Sequence, residues 1–95
     1  MALEFEWDEA KAASNLVKHR ISFDDALEVF ADSELIIVAT VRERDQENRL
    51  KAIGRVGDRV FTIVYTERND AKRLISARRA NANEERHYGD ASPHA

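Results

Sequence analysis

The pair Gly57–Asp58 constrains this chain more than any other two residues. It lies between "LKAIGRV" (50–56) and "RVFTIVYT" (59–66), two runs that read as strands, and a Gly-first pair suits the two-residue type II′ turn of a β-hairpin. A turn of that length fixes the register, and register decides which side chains share a face. Counting back from it sets Leu50 opposite Tyr65, Ala52 opposite Ile63 and Gly54 opposite Phe61 on one apolar face. The reverse face carries Arg55 opposite Val60, Ile53 opposite Thr62, Lys51 opposite Val64 and Arg49 opposite Thr66, and is half cationic.

"LIIVATV" (35–41) and "KRLISARR" (72–79) supply two further strands. Helices to cover the apolar face precede them. Asp8 can cap a helix running to about Arg20, with Ala13, Leu16 and Val17 on its buried stripe. Ser22 and Asp25 form a capping-box variant at the start of a second helix, in which Phe23, Ala26, Leu27 and Phe30 follow the spacing of a buried face. A last, short helix is expected after Asn81, with Glu84 three residues on completing its capping box.

The fourth strand ends in Arg78 and Arg79. One residue of loop length around Asn69–Asp70 decides whether Arg78 with Leu74 and Ser76, or Arg79 with Ile75 and Ala77, joins the cationic face. In either register one arginine stands beside Lys51 and Arg55, where its planar fork can hold a phosphate bidentately. An arginine among other cations gains little from its neighbours, so its removal is expected to leave folding almost unchanged.

With 95 residues the chain suits one domain with one modest core. It has no cysteine, no basic-then-apolar leader at "MALEFEWDEA" and no apolar run of membrane-spanning length, so a soluble cytoplasmic protein is expected. The net charge of −3 hides an asymmetry: residues 1–34 carry −6 and residues 35–95 carry +3. Local potential, more than net charge, governs how a polyanion is met, so a basic working surface is consistent with an acidic chain.

In "FEWDEAKAASNLVKH" (5–19), "ISFDDALEVF" (21–30) and "TERNDAKRLISARRA" (66–80), continued by Glu84 and Tyr88, the chain resembles the BrnT ribonuclease toxins, whose fold is like that of the RelE toxins. The likeness covers nearly all of the chain except "GDASPHA". It implies an α+β fold in which two N-terminal helices pack on a four-stranded antiparallel sheet, with a short C-terminal helix. The single domain would span 1–88, with 89–95 as a tail. It also implies a BrnA-like antitoxin with a ribbon-helix-helix domain, hetero-oligomerisation with it, and contact with operator DNA only through it. The sequence departs from the family at Arg20, where the family usually has Gly, and at Ala82, Asn83, Glu85 and His87, where the last helix of relatives is often arginine-rich.

The activity implied is a metal-independent endoribonuclease that needs no cofactor and inhibits translation and growth. In that chemistry the 2′-hydroxyl attacks the adjacent phosphorus while cationic donors stabilise the growing negative charge. Arg78 and Arg79, with Arg55 in support, are the candidates for that role. His19, Lys18 and Glu67 are the acid–base candidates, and His19 alone has an ordinary pKa near neutrality. Lys51, Arg55, Arg68, Arg73 and Tyr88 are candidates for binding RNA. Each has a plainer role available. His19 sits where a helix dipole favours a cation, and Lys18 suits solvated surface. Glu67 and Arg68 suit ion pairs with Lys72 or Arg73 across a turn, Trp7 suits an anchor for the first helix, and Tyr88 suits an idle helix end. A non-catalytic nucleic-acid- or protein-binding module remains open. A metal-dependent hydrolase is disfavoured, because none of the three histidines stands at ligand spacing with a second His and a carboxylate.

Overall fold

Both hairpin turns follow their local chemistry. In the computed structural model, which describes residues 4–42 and 47–91, Gly57 takes a φ of 64° and Asp58 does not share the positive sign, as a type II′ turn requires. Asn69 and Asp70 both have positive φ, 49° and 69°, the sign pattern of a type I′ turn, which Asn and Asp tolerate better than most residues. The second loop is therefore two residues long, closed by the Arg68–Ala71 pair.

The chain runs β1 (Glu4–Glu6), α1 (Glu9–His19), α2 (Phe23–Ala26) continued by a 3₁₀ helix (Leu27–Ala31), β2 (Ile36–Arg42), β3 (Glu47–Val56), β4 (Arg59–Arg68), β5 (Ala71–Arg79) and α3 (Ala82–Ala91). The last part of the expected tail, 92–95, lies outside the described residues. The strands form one sheet in the order β1-β5-β4-β3-β2. All neighbours are antiparallel except β1 and β5, which pair in parallel from Glu4–Ala71 to Glu6–Arg73. This corrects the expected fold: the sheet is five-stranded and mixed, and α1 follows its first strand. Three residues are too few to show a strand period, and their partner lies at the other end of the chain.

The expected β3–β4 register is present from Leu50–Tyr65 to Arg55–Val60. In β5, by contrast, neither expected parity is found. Tyr65 pairs with Leu74 and Val64 with Ser76, so Ile75 is the extra residue of a bulge. The bulge puts Leu74 and Ala77 on the apolar face and Ser76 and Arg78 on the reverse one.

The core cluster joins Ile21, Phe23, Ala26 and Val29 to Ala52, Ile63, Tyr65, Leu74 and Ala77. Burial along this segment falls at Phe23, Ala26 and Val29, and the last step stays at three residues where the 3₁₀ helix, with three residues per turn, takes over from α2. Val29 thus takes the deepest place, while Leu27 and Phe30 are half-buried. Phe30 still packs between Phe5 and Tyr65, with ring centroids 5.0 and 5.4 Å away. Gly54 admits this helix to the sheet, since a Cβ there would stand 3.0 Å from both Cγ1 and the carbonyl oxygen of Val29.

The caps of α1 are as the sequence suggests, but its buried face is not. The Asp8 carboxylate accepts the N–H groups of Ala10 and Lys11, and the Ser22 hydroxyl accepts that of Asp25 in α2. The stripe expected inside is turned to solvent, with Leu16 49 % and Val17 77 % exposed, and Asn15 is buried instead. Its side chain donates to the Ala77 carbonyl at 2.8 Å and accepts the Ala77 N–H at 3.0 Å. β1 covers β5 only as far as Arg73. Beyond that point one amide side chain stands in for a neighbouring strand, satisfying a donor and an acceptor that would otherwise be costly to bury.

Candidate functional site

On the sheet face away from the core, Val38, Lys51, Val64 and Ser76 form one cross-strand row, and Ile36, Ile53, Thr62 and Arg78 form the next. This is the cationic face expected from the first hairpin, and α3 lies across it. The Asn81–Glu84 capping box is present: the Glu84 N–H donates to Asn81 Oδ1 at 2.8 Å, and the Asn81 N–H donates to Glu84 Oε1 at 2.9 Å.

The Glu84 carboxylate also reaches the sheet. It accepts Arg78 Nη1 on Oε1 at 2.7 Å and Arg78 Nη2 on Oε2 at 2.9 Å. Lys51 Nζ donates to Oε2 and Thr62 Oγ1 to Oε1, each at 3.0 Å. Only 6 % of the Glu84 side chain is exposed. Such burial opposes its ionisation, but the Arg78 pair outweighs it together with the Asn81 N–H, Lys51 and Thr62, and holds the carboxyl well below the usual range. The same pair raises the pKa of Arg78.

A second anchor fixes the far end of α3. Tyr88 is buried, and its hydroxyl donates to Asp32 Oδ2 at 2.6 Å. That oxygen also accepts the Arg55 N–H at 2.8 Å, and the Arg55 guanidinium stands 5.9 Å from the centre of the Tyr88 ring. Burial disfavours the Asp32 carboxylate, yet the Tyr88 hydroxyl and the N–H groups of Glu34 and Arg55 leave its pKa lowered.

The other candidates fall into separate places. Lys18 and His19 line an open cavity of about 230 Å³ between α1 and β5, together with Lys11, Ser14, Ile75 and Ser76. Ser76 is two residues from Arg78 on the same face of β5, roughly 7 Å along the strand. Arg79 pairs with Phe61 and is exposed on the core side of the sheet's end. Glu67 bonds Lys72 at 3.2 Å, and Arg73 stands 3.5 Å from Glu6. Arg68 lies beside the turn. Glu67 is five residues along β4 from Thr62, the neighbour of Arg78, or roughly 17 Å, so these three are not within reach of the Arg78 side chain. Trp7 packs edge-on against Phe23, with centroids 5.6 Å apart, as an anchor would.

Lys18 and His19 thus share a cavity with Lys11 and Ser76, while Arg78, two residues farther along β5, meets Thr62 and Glu84; the sequence marks none of Lys11, Thr62 and Glu84 for such a place. Glu84 is legible as a cap, but a cap says nothing about a second use of the same carboxylate. Among the described residues no group of three or more His, Asp or Glu is placed to hold a metal, and no helix is long and apolar enough to cross a membrane.

No curated protein matches the chain. A crystal structure of the Brucella abortus ribonuclease toxin, BrnT, is similar to it with a TM-score of 0.68 and 28 % identity, over 84 % of this chain and 99 % of that one. The family model described as "Ribonuclease toxin, BrnT, of type II toxin-antitoxin system" matches residues 7–84. Because that match runs from the start of α1 through every later strand and into α3, the chain belongs to the BrnT family of ribonuclease toxins of type II toxin-antitoxin systems.

Proposed function

We propose that this toxin is a metal-independent endoribonuclease that cuts RNA beside Ser76, where α1 meets the cationic sheet face. The observation that carries this reading is that Lys18 and His19 of α1 share a cavity with Ser76, which stands two residues along β5 from Arg78 on the same face. In the reaction, the 2′-hydroxyl of the nucleotide before the cut loses its proton to a general base and its oxygen bonds to phosphorus. The 5′-oxygen leaves with a proton from a general acid. The products are a 2′,3′-cyclic phosphate and a 5′-hydroxyl end. His19 fills both roles in turn, taking the 2′-hydroxyl proton and then giving it to the 5′-oxygen, because an imidazole is the side chain type suited to moving a proton in neutral water. Arg78 stabilises the charge on the non-bridging oxygens through its paired N–H groups, with Lys51 in support. Lys11 and Lys18 hold neighbouring phosphates.

A BrnA-like ribbon-helix-helix antitoxin neutralises the toxin in the cytoplasm and carries the pair to operator DNA. A basic sheet face offers its acidic segments the same attraction that it offers phosphate. Purified toxin incubated with RNA, with and without chelator, tests the reading through the ends produced. Cyclic phosphate ends in both samples are expected. RNA bound but left intact by folded, antitoxin-free protein would instead favour a non-catalytic binding module, and loss of cutting with chelator would overturn metal independence.

A further inference from the structure

Four donors from the sheet and from the start of α3 converge on one carboxylate. Arg78 supplies two parallel N–H groups, Lys51 an ammonium, Thr62 a hydroxyl and Asn81 a backbone N–H, giving five hydrogen bonds to the two oxygens of Glu84. A forked guanidinium, an ammonium and a hydroxyl are the groups that bind a phosphate. Glu84 is moreover carried by an element that is lightly attached. Among the described side chains of α3 the buried ones are Glu84 and Tyr88, and both are anchored through polar groups. Beside Glu84 the helix bridges a cavity of about 160 Å³ lined by Val38, Lys51, Ile53, Asn83 and His87, so it is not close-packed on the sheet there. An element with few apolar contacts opens at a free energy well below that of global unfolding.

We propose that Lys51, Thr62 and Arg78 form a phosphate seat that Glu84 fills as a resident anion, so that an RNA phosphate engages Arg78 by displacing this carboxylate and lifting α3. The inference rests on the RNA-cleaving reading above and adds how its site is kept closed. A carboxylate and a phosphate compete for the same donors, and a free carboxylate returns to water when the helix lifts. The closed form therefore binds RNA through Lys11 and Lys18 alone, and the open form adds the seat.

The test is the affinity of an all-2′-O-methyl oligonucleotide, which binds but cannot be cut because its 2′-oxygen carries no proton. Glu84→Gln keeps the cap, since Gln serves at that position of a capping box, and removes the competing charge. It should bind the oligonucleotide about tenfold more tightly than the parent. Glu85→Gln makes the same change in net charge at an exposed neighbouring site and should leave affinity within about twofold of the parent. Tyr88→Phe cuts the anchor to Asp32 without touching the seat and should tighten binding about threefold. Glu84→Gln that is folded yet binds no better than Glu85→Gln overturns the proposal. Should Glu84→Gln fail to fold, Tyr88→Phe decides, and parental affinity there overturns it equally. Failure of the catalytic reading looks different: the variants bind the modified oligonucleotide more tightly while none of them, nor the parent, cuts ordinary RNA.

Discussion

Arg78 and Glu84 meet through two parallel hydrogen bonds of 2.7 and 2.9 Å, the first from a strand end and the second from the opening turn of the helix that follows it. Six residues apart in sequence, they tie α3 to the centre of the sheet. The pair makes Arg78 structural as well as electrostatic. Arg78→Ala takes from a buried carboxylate one of its two cationic partners, Lys51 remaining, a loss of about 2 kcal/mol. For a domain of this size the thermal midpoint should fall by roughly 10 °C. Arg79→Ala, at an exposed position, should stay within about 0.5 kcal/mol of the parent. Thermal unfolding of both variants checks this. It reverses the expectation from sequence, in which an arginine among cations could be removed freely, because the sequence does not show the anion that it faces.

Stability should fall in acid, with Glu84 as a main cause. Its folded pKa lies below the ordinary value of 4.5, so the unfolded chain binds a proton before the native state does. The stability it contributes is fully present above about pH 4.5 and is lost as pH falls through the folded value. The unfolding midpoint of the parent should decline as pH drops from about 6 to 3. Glu84→Gln should start lower and decline less steeply over the same window, and an unchanged slope would assign the acid sensitivity to other carboxylates.

Arg20 closes α1 in the left-handed region, at φ 60° and ψ 28°. A side chain with a Cβ is strained there by about 1 kcal/mol, and Gly is not. Arg20→Gly should therefore raise the urea midpoint by the equivalent of about 0.5–1 kcal/mol with an unchanged m value. A lower midpoint would show that the Arg20 side chain makes contacts that outweigh the strain.

Asn15 should matter more than the apolar residues beside it. Asn15→Ala leaves the Ala77 N–H and carbonyl without their side-chain partner, a loss of about 2–3 kcal/mol. Leu16→Ala and Val17→Ala, at exposed positions, should each cost less than about 0.5 kcal/mol. Denaturant unfolding of the three variants gives the ranking directly.

That ranking shows where sequence reading holds and where it stops. Gly57–Asp58 and the alternation around it yield a whole hairpin register, because a two-residue turn leaves no freedom. The caps at Asp8, Ser22 and Asn81 are legible because they depend on residues within three positions of each other. The bulge at Ile75 is not legible, since it arises from how β5 fits β4 and the helices together. Nor is the inversion of α1, where an open strand edge near Ala77 makes a polar side chain more useful inside than Leu16. The candidate site divides in the same way. Lys51 follows from turn and register, which leave Arg78 and Arg79 undecided until the bulge at Ile75 turns Arg78 to the cationic face. Glu84's grip on Lys51 and Arg78 and the meeting of His19 with Ser76 depend on where separate elements pack.

The proposed RNA cleavage depends above all on Arg78, whose proposed part is to stabilise the transition state beside His19. Arg78→Lys keeps a cation opposite Glu84 and so spares most of the stability, but it removes the planar fork. The direct measurement is the single-turnover cleavage rate of a defined RNA by this variant and by the parent, at a temperature where both are folded. A drop of about 10- to 100-fold is expected in the lysine variant, with the same cut site and the same cyclic phosphate ends. Cleavage at the parental rate would contradict it and leave Arg78 as the structural partner of Glu84 alone.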